Sequence, residues 1–181
     1  MLRAFIASLA LVSCSLLAAP KVLVETNLGP FEIELYEKKA PISVENFLRY
    51  VEDGSYEGSI FHRVIPNFMA QGGGFDKDFK RLETYAPIKN EADNNVANNT
   101  ATVAMARTND PNSATRQFFI NFKDNHFLNK SRSSDGYAVF GRVTKGFEVV
   151  QGMAKKPTRS VGRMQDVPVD PIVITNISVI E

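Results

Sequence analysis

Apolar and polar residues alternate over residues 30–36, with Phe31, Ile33 and Leu35 set against Glu32, Glu34 and Tyr36. A period of two predicts a strand with one wet face. The segment 21–26 before it is apolar and β-branched, and Asn27-Leu28-Gly29 turns the chain between them. Together they predict a β-hairpin. The period then changes. Val44, Phe47, Leu48 and Val51 recur at i, i+3, i+4 and i+7, Pro41 suits a first helical turn, and Gly54 suits a stop. This spacing predicts an amphipathic helix.

Shorter elements follow. Residues 59–65 read as a strand, Pro66-Asn67 as a turn and 68–71 as a return strand, after which Gly72-Gly73-Gly74 is expected to break regular structure. Residues 75–100 are polar and Asn-rich and read as a long ordered loop. Segments 102–105 and 117–122 read as strands around a polar loop, 123–136 as loop and 137–143 as a strand. Gly146 opens a second helix carrying Phe147, Val150 and Met153. Residues 155–170 read as loop, and 172–180 as a terminal strand. Many short strands with two helices close naturally into a barrel, because closure removes exposed edges. An open α+β sheet is the competing architecture.

The amino-terminus departs from this pattern. It has an early cation, Arg3, an unbroken apolar run, then small residues and Pro20. That is the layout of a secretory signal peptide. The run 4–19 is shorter than the roughly 20 residues that a membrane-spanning helix prefers. Residues 1–19 are therefore expected to be a signal and 20–181 a single exported domain. Leu11-Val12-Ser13-Cys14 also resembles a lipobox, so lipid anchoring through Cys14 is the alternative. Cys14 is the only cysteine, so a cleaved chain has neither a disulfide nor a thiol nucleophile. The 21 basic residues lose Arg3 with the signal and then balance the 20 acidic ones, which gives no electrostatic case for nucleic acid.

The usual catalytic groups are scarce. His62 and His126 are the only histidines, and no G-x-S-x-G, H-E-x-x-H or phosphate-loop pattern occurs. The carboxylates show no metal-ligand spacing, so neither metal nor cofactor is expected. Strict alternation puts Phe61, Arg63 and Ile65 on one strand face and His62 on the other, where it reads as a buried, hydrogen-bonded structural histidine. Met69 and Gln71 share a face in the return strand, and 117–121 is again amphipathic. Periodicity alone leaves these segments balanced between barrel core and functional surface.

The stretch FHRVIPNFMAQGGGF, residues 61–75, resembles the signature of the cyclophilin-type peptidyl-prolyl cis-trans isomerases. Co-linear matches include TNLG at 26–29, KNE at 89–91, AMA at 104–106, QFFIN at 117–121, Phe127-Leu128 and YAVFGRV at 137–143. The resemblance spans essentially 21–180 and is similar to the bacterial periplasmic branch. It implies a mainly β fold, a closed eight-stranded antiparallel barrel capped by two helices, with the active site on its outer surface.

The resemblance also implies roles. Arg63 matches the catalytic arginine, and Gln71 the residue that hydrogen-bonds substrate and steadies it. Phe68, Met69, Phe119 and Leu128 match the pocket for the proline ring, and Ala106, Arg107 and Gln117 the groove for the residues before it. Phe127 stands where many eukaryotic members carry Trp, so weak or no cyclosporin binding is expected. Tyr137 stands where they carry His and keeps a hydroxyl. The implied partners are proline-containing peptides and unfolded or folding exported proteins, with the enzyme a monomer. A proline-segment-binding chaperone or adaptor with incidental catalysis is the alternative.

Overall fold

The structure, a computed structural model, describes residues 19–180. The signal and lipobox expectations fall outside them. Strands β1 (Lys21–Thr26) and β2 (Gly29–Leu35) pair antiparallel with Val22 opposite Ile33 and Val24 opposite Phe31. All four side chains are buried on the dry face, as the alternation predicts. The sequence then forms α1 (Pro41–Glu52), β3 (Ser59–Ile65), β4 (Met69–Asp76), β5 (Thr102–Met105), β6 (Phe118–Asn121), β7 (Val139–Lys145) and α2 (Phe147–Met153). It ends in β8 (Thr158–Val161), β9 (Met164–Pro168) and β10 (Ile174–Val179).

Eight strands form one antiparallel sheet in the order β10-β1-β2-β7-β5-β6-β4-β3. The sheet curls until its ends nearly meet. Phe61 N–H donates to Ile172 O and Gly58 N–H to Ile174 O, both at 2.9 Å, and Ile60 bridges Val173. These bonds cover the edges that an open sheet would expose. The fold is mainly β, a nearly closed eight-stranded antiparallel barrel with two helices.

Helix α1 packs its apolar stripe on the barrel through Val44, Phe47, Tyr50 and Val51. The Phe47 ring lies 5.2–5.6 Å from those of Tyr56, Phe118 and Phe140. Its N-cap, Ala40, makes no side-chain cap bond. Glu91, distant in sequence, supplies one, accepting from Ile42 N–H at 3.0 Å and from Ser43 N–H and Oγ at 2.7 Å. A carboxylate there satisfies orphan amides and suits the positive helix end.

Three sequence expectations need correction. Residues 155–170 are not all loop: β8 and β9 form a separate hairpin joined by Gly162-Arg163, with Gly162 at φ 57°. The Gly72-Gly73-Gly74 run does not end its strand. β4 continues to Asp76 and absorbs the glycines in a register shift opposite Ile60. Gly73 sits at φ 83°, and a Cβ there would stand 2.8 Å from Tyr56 Cε1.

The third correction concerns faces. Phe61 pairs with Gly72 but Arg63 pairs with Gln71, so β3 carries one extra residue, His62. This bulge reverses the phase of alternation. Phe61 and Val64 point into the core, whereas Arg63 and Ile65 lie partly exposed outside it. Phe61 and Arg63 therefore do not share a face.

A buried cation ties these parts together. Arg116 is 2% exposed, and its Nε donates to Gly73 O at 2.6 Å, Nη1 to Glu83 O at 2.7 Å and Nη2 to Ser55 O. Its guanidinium carbon lies 5.1 Å from the Tyr50 ring centre and 5.4 Å from that of Tyr56. Tyr56 in turn donates its hydroxyl to Arg116 O at 2.7 Å. Three carbonyls and two rings thus replace the missing carboxylate. Replacing Arg116 with Met strands those carbonyls. The expected loss is about 3 kcal/mol of stability, or about 6–12 °C in Tm, read by thermal denaturation.

Candidate functional site

Cross-strand register assembles the site. Arg63 on β3 pairs with Gln71 on β4, Gln71 with Phe119 on β6, Phe119 with Ala104 on β5, and Ala104 with Val139 on β7. Directly paired residues share a sheet face. This row therefore crosses five strands on the outside of the barrel. The next row, Val64, Ala70, Ile120 and Val103, faces inward and is fully buried.

The outer row carries its own small apolar cluster. Met69, Ala104, Phe119 and Val139 form its buried part, with Phe68, Ala106, Leu128 and Tyr137 packed against it. A pocket of about 130 Å³ opens there, beside Arg63 and Gln71 and bordered by Arg107. Of the eleven residues singled out from the sequence, nine line this pocket. Gln117 and Phe127 do not, and each sits one contact away. Gln117 Oε1 accepts from Gln71 Nε2 at 2.9 Å, and the Phe127 ring stacks on Phe68 at 5.6 Å while remaining 69% exposed. Gly74 leaves room for Gln117: a Cβ there would lie 2.5 Å from its Cδ.

An asparagine network fixes the pocket wall. Asn125 Nδ2 donates to Phe68 O at 2.9 Å and to Asn121 Oδ1 at 2.8 Å. Asn121 Nδ2 donates to Asn98 Oδ1 and to Thr102 Oγ1. Asn98 Nδ2 donates to Asn129 Oδ1 and Tyr137 O. These side chains, from the Asn-rich loop, β6 and the segment after it, thereby hold the segments of Phe68, Leu128 and Tyr137 together. Asn98, Asn121 and Asn125 are fully buried, so their bonds act in a dry setting where they rigidify the wall, although Asn125 Oδ1 itself has no partner. Arg107 stiffens the far rim. It donates Nε to Gly136 O at 3.0 Å, and its guanidinium lies 4.5 Å over the Tyr137 ring, which meets Phe119 edge-on.

Arg63 is 44% exposed, and its Nε lies 3.8 Å from Asp166 Oδ2 on β9. Asp166 went unnoticed in the sequence because its strand read as loop. The two-residue Gly162-Arg163 link between Val161 and Met164 is the hairpin signal that could have found it. His62 is buried, as expected, with its ring 4.7 Å from Phe75, but its Nδ1 has no hydrogen-bond partner. His126 is exposed and meets Asn99 Oδ1 at 2.9 Å.

The fold and the site together define a β-barrel sealed by its own core, with an apolar pocket on its outer surface bordered by the guanidinium groups of Arg63 and Arg107. Comparison with known proteins narrows this. Residues 21–179 match the family model of the cyclophilin type peptidyl-prolyl cis-trans isomerase/CLD. A peptidyl-prolyl cis-trans isomerase of Acinetobacter baylyi is 56% identical over 169 residues, 93% of this chain and 90% of that protein. Peptidyl-prolyl cis-trans isomerase A of Dickeya dadantii is 51% identical over 88% of this chain and 84% of that protein. A crystal structure of a Cryptosporidium parvum cyclophilin type peptidyl-prolyl cis-trans isomerase superposes with a TM-score of 0.74 at 25% identity, covering 90% of this chain and 98% of that one. The same protein has been solved in the presence of the dipeptide Ala-Pro. The chain belongs to the cyclophilin-type peptidyl-prolyl cis-trans isomerase family, and its enzyme class is isomerase.

His62 gives a pH test of the bulge. Burial lowers its pKa from 6.5 to about 4, so the folded state keeps it neutral while the unfolded chain protonates it. The unfolded state then binds more protons between those values, and stability rises with pH. Stability is expected to fall by roughly 3 kcal/mol as pH drops from 6.5 toward 4. His62→Gln should flatten that slope in denaturant titrations, and an unchanged slope would assign it to other groups.

Proposed function

We propose that this enzyme rotates X–Pro bonds by aiming Arg63 at the prolyl nitrogen while the outer pocket holds the ring. The observation that carries this reading is the juxtaposition of Arg63 and Gln71 in one cross-strand row with the pocket formed by Phe68, Met69, Phe119 and Leu128.

The chemistry follows from the peptide bond. Delocalisation of the nitrogen lone pair sets a rotation barrier of roughly 18–20 kcal/mol. The two X–Pro isomers differ by only about 1 kcal/mol, yet they exchange over tens to hundreds of seconds. In the twisted transition state conjugation is broken and the lone pair returns to nitrogen. A donor held at that nitrogen bonds the twisted form and not the planar one, which is differential transition-state binding. A guanidinium suits the task because it stays charged and presents a rigid planar fork. The twisted amide is less polar than the planar one, so the apolar pocket favours it as well. No bond is made or broken, and no nucleophile is required.

The other residues divide the remaining work. Gln71, bonded to Gln117, aligns the peptide backbone. Ala106, Arg107 and Gln117 receive the residues before the proline, and the Tyr137 hydroxyl is available to the substrate. Phe127 offers a ring face but no N–H donor, which weakens cyclosporin binding. The amino-terminal pattern, with Arg3 ahead of an apolar run and small residues, supports export, with clients that are proteins folding outside the cytoplasm.

Arg63→Ala is expected to keep the fold, since the side chain is partly exposed, and to lose about 10²–10³ in kcat/KM, the size typical of a lost preorganised donor. A protease-coupled assay on a prolyl peptide reads this. A near-wild-type rate would contradict the mechanism.

A further inference from the structure

A second groove, of about 390 Å³, lies on the other side of Arg63 and Gln71 from the proline pocket. The two share those residues as a common wall. Three guanidinium groups line the second groove: Arg63, Arg81 and Arg163. They come from three separate places: β3, the loop after β4, and the turn of the β8–β9 hairpin. The amides of Gln117 and Gln165 add further donors, and no carboxylate is among the lining residues.

Asp166 stands 3.8 Å from Arg63 Nε and offsets that one cation. Asp76, beside Phe75 of the groove wall, accepts through Oδ1 from the backbone N–H groups of Asp78 and Lys80 in its own turn. Among the described residues neither Arg81 nor Arg163 forms an ion pair. Arg81 leans over the Phe75 ring at 5.5 Å, which positions its guanidinium without neutralising it. Two uncompensated forks therefore face one concavity on a chain whose formal charge is only +1. A local excess on a nearly neutral protein fits a single carboxylate rather than an extended polyanion.

We propose that this groove binds an acidic side chain carried by the client segment near its proline, so that the enzyme selects X–Pro sites flanked by Asp or Glu. The proposal rests on the proline-pocket reading above, because the shared wall is what brings a neighbouring residue of the same peptide within reach. Carboxylate and guanidinium match in bidentate geometry, and opposite charges also raise the encounter rate at low salt.

The test uses paired prolyl peptides that differ only by Glu or Gln at each flanking position. Both kcat/KM and Kd, the latter by fluorescence anisotropy, are measured on the wild type and on R81Q/R163Q. The wild type is expected to favour one Glu peptide by about threefold to tenfold at low ionic strength, with the advantage shrinking in high salt. The double variant should lose that advantage while turning over the Gln peptide normally. Equal behaviour of Glu and Gln peptides at every position, or a preference that survives R81Q/R163Q, would overturn the proposal. If the Gln peptide were bound but not isomerised by the wild type, the catalytic reading would fail, and the Glu-dependent Kd would still decide the charge reading.

Discussion

One extra residue in β3 determines what the outer surface can do. With unbroken alternation, Arg63 would share the face of Phe61 and point into a core that has no partner for a guanidinium. The bulge at His62 reverses the phase, so Phe61 stays inside and Arg63 emerges beside Gln71. The place of Arg63 in the site depends on that reversal. The cross-strand row then carries the outward face through Phe119 and Ala104 to Val139. The cost is a histidine buried without a partner at Nδ1, held neutral by its surroundings.

The barrel supplies rigidity and the loops supply the pocket. Arg116, buried among carbonyls and two tyrosine rings, pins the glycine-rich part of β4 to the segment before β3 and to the long loop. The residue after it, Gln117, is thereby presented to Gln71. Asn98, Asn121 and Asn125 do the corresponding work on the other side, joining the backbone of Phe68 to that of Tyr137. Two polar networks flank an apolar pocket. A site that binds a twisted, weakly polar amide needs that combination: fixed donors at the edge and dry walls in the middle.

Much of the fold was legible because burial follows simple periods. The alternation in β2 and the 3.6-residue stripe of α1 are both visible in the chain. The hidden parts have physical reasons. Nothing in FHR marks a bulge, because the extra residue is set by pairing with a strand whose glycines also shift register. The β8–β9 hairpin is largely exposed, so its residues carry no hydrophobic alternation, and Asp166 was invisible with it. Gly72-Gly73-Gly74 reads as a breaker locally but serves as strand where Tyr56, Arg116 and Gln117 crowd the backbone. The site residues came from motif resemblance, since periodicity alone left Arg63 undecided. The network that holds the pocket is hidden because its asparagines are scattered over the Asn-rich loop, β6 and the segment after it, and only the fold brings them together.

The central claim is that the planar fork of Arg63, and not positive charge alone, stabilises the twisted amide. The most direct measurement is the cis–trans exchange rate of a saturating prolyl peptide on the enzyme, read by exchange NMR, for wild type and Arg63→Lys. Peptide affinity should change little, because the ring pocket is intact, while the on-enzyme exchange rate falls by at least about tenfold. Exchange at the wild-type rate in Arg63→Lys, with affinity unchanged, would contradict the account.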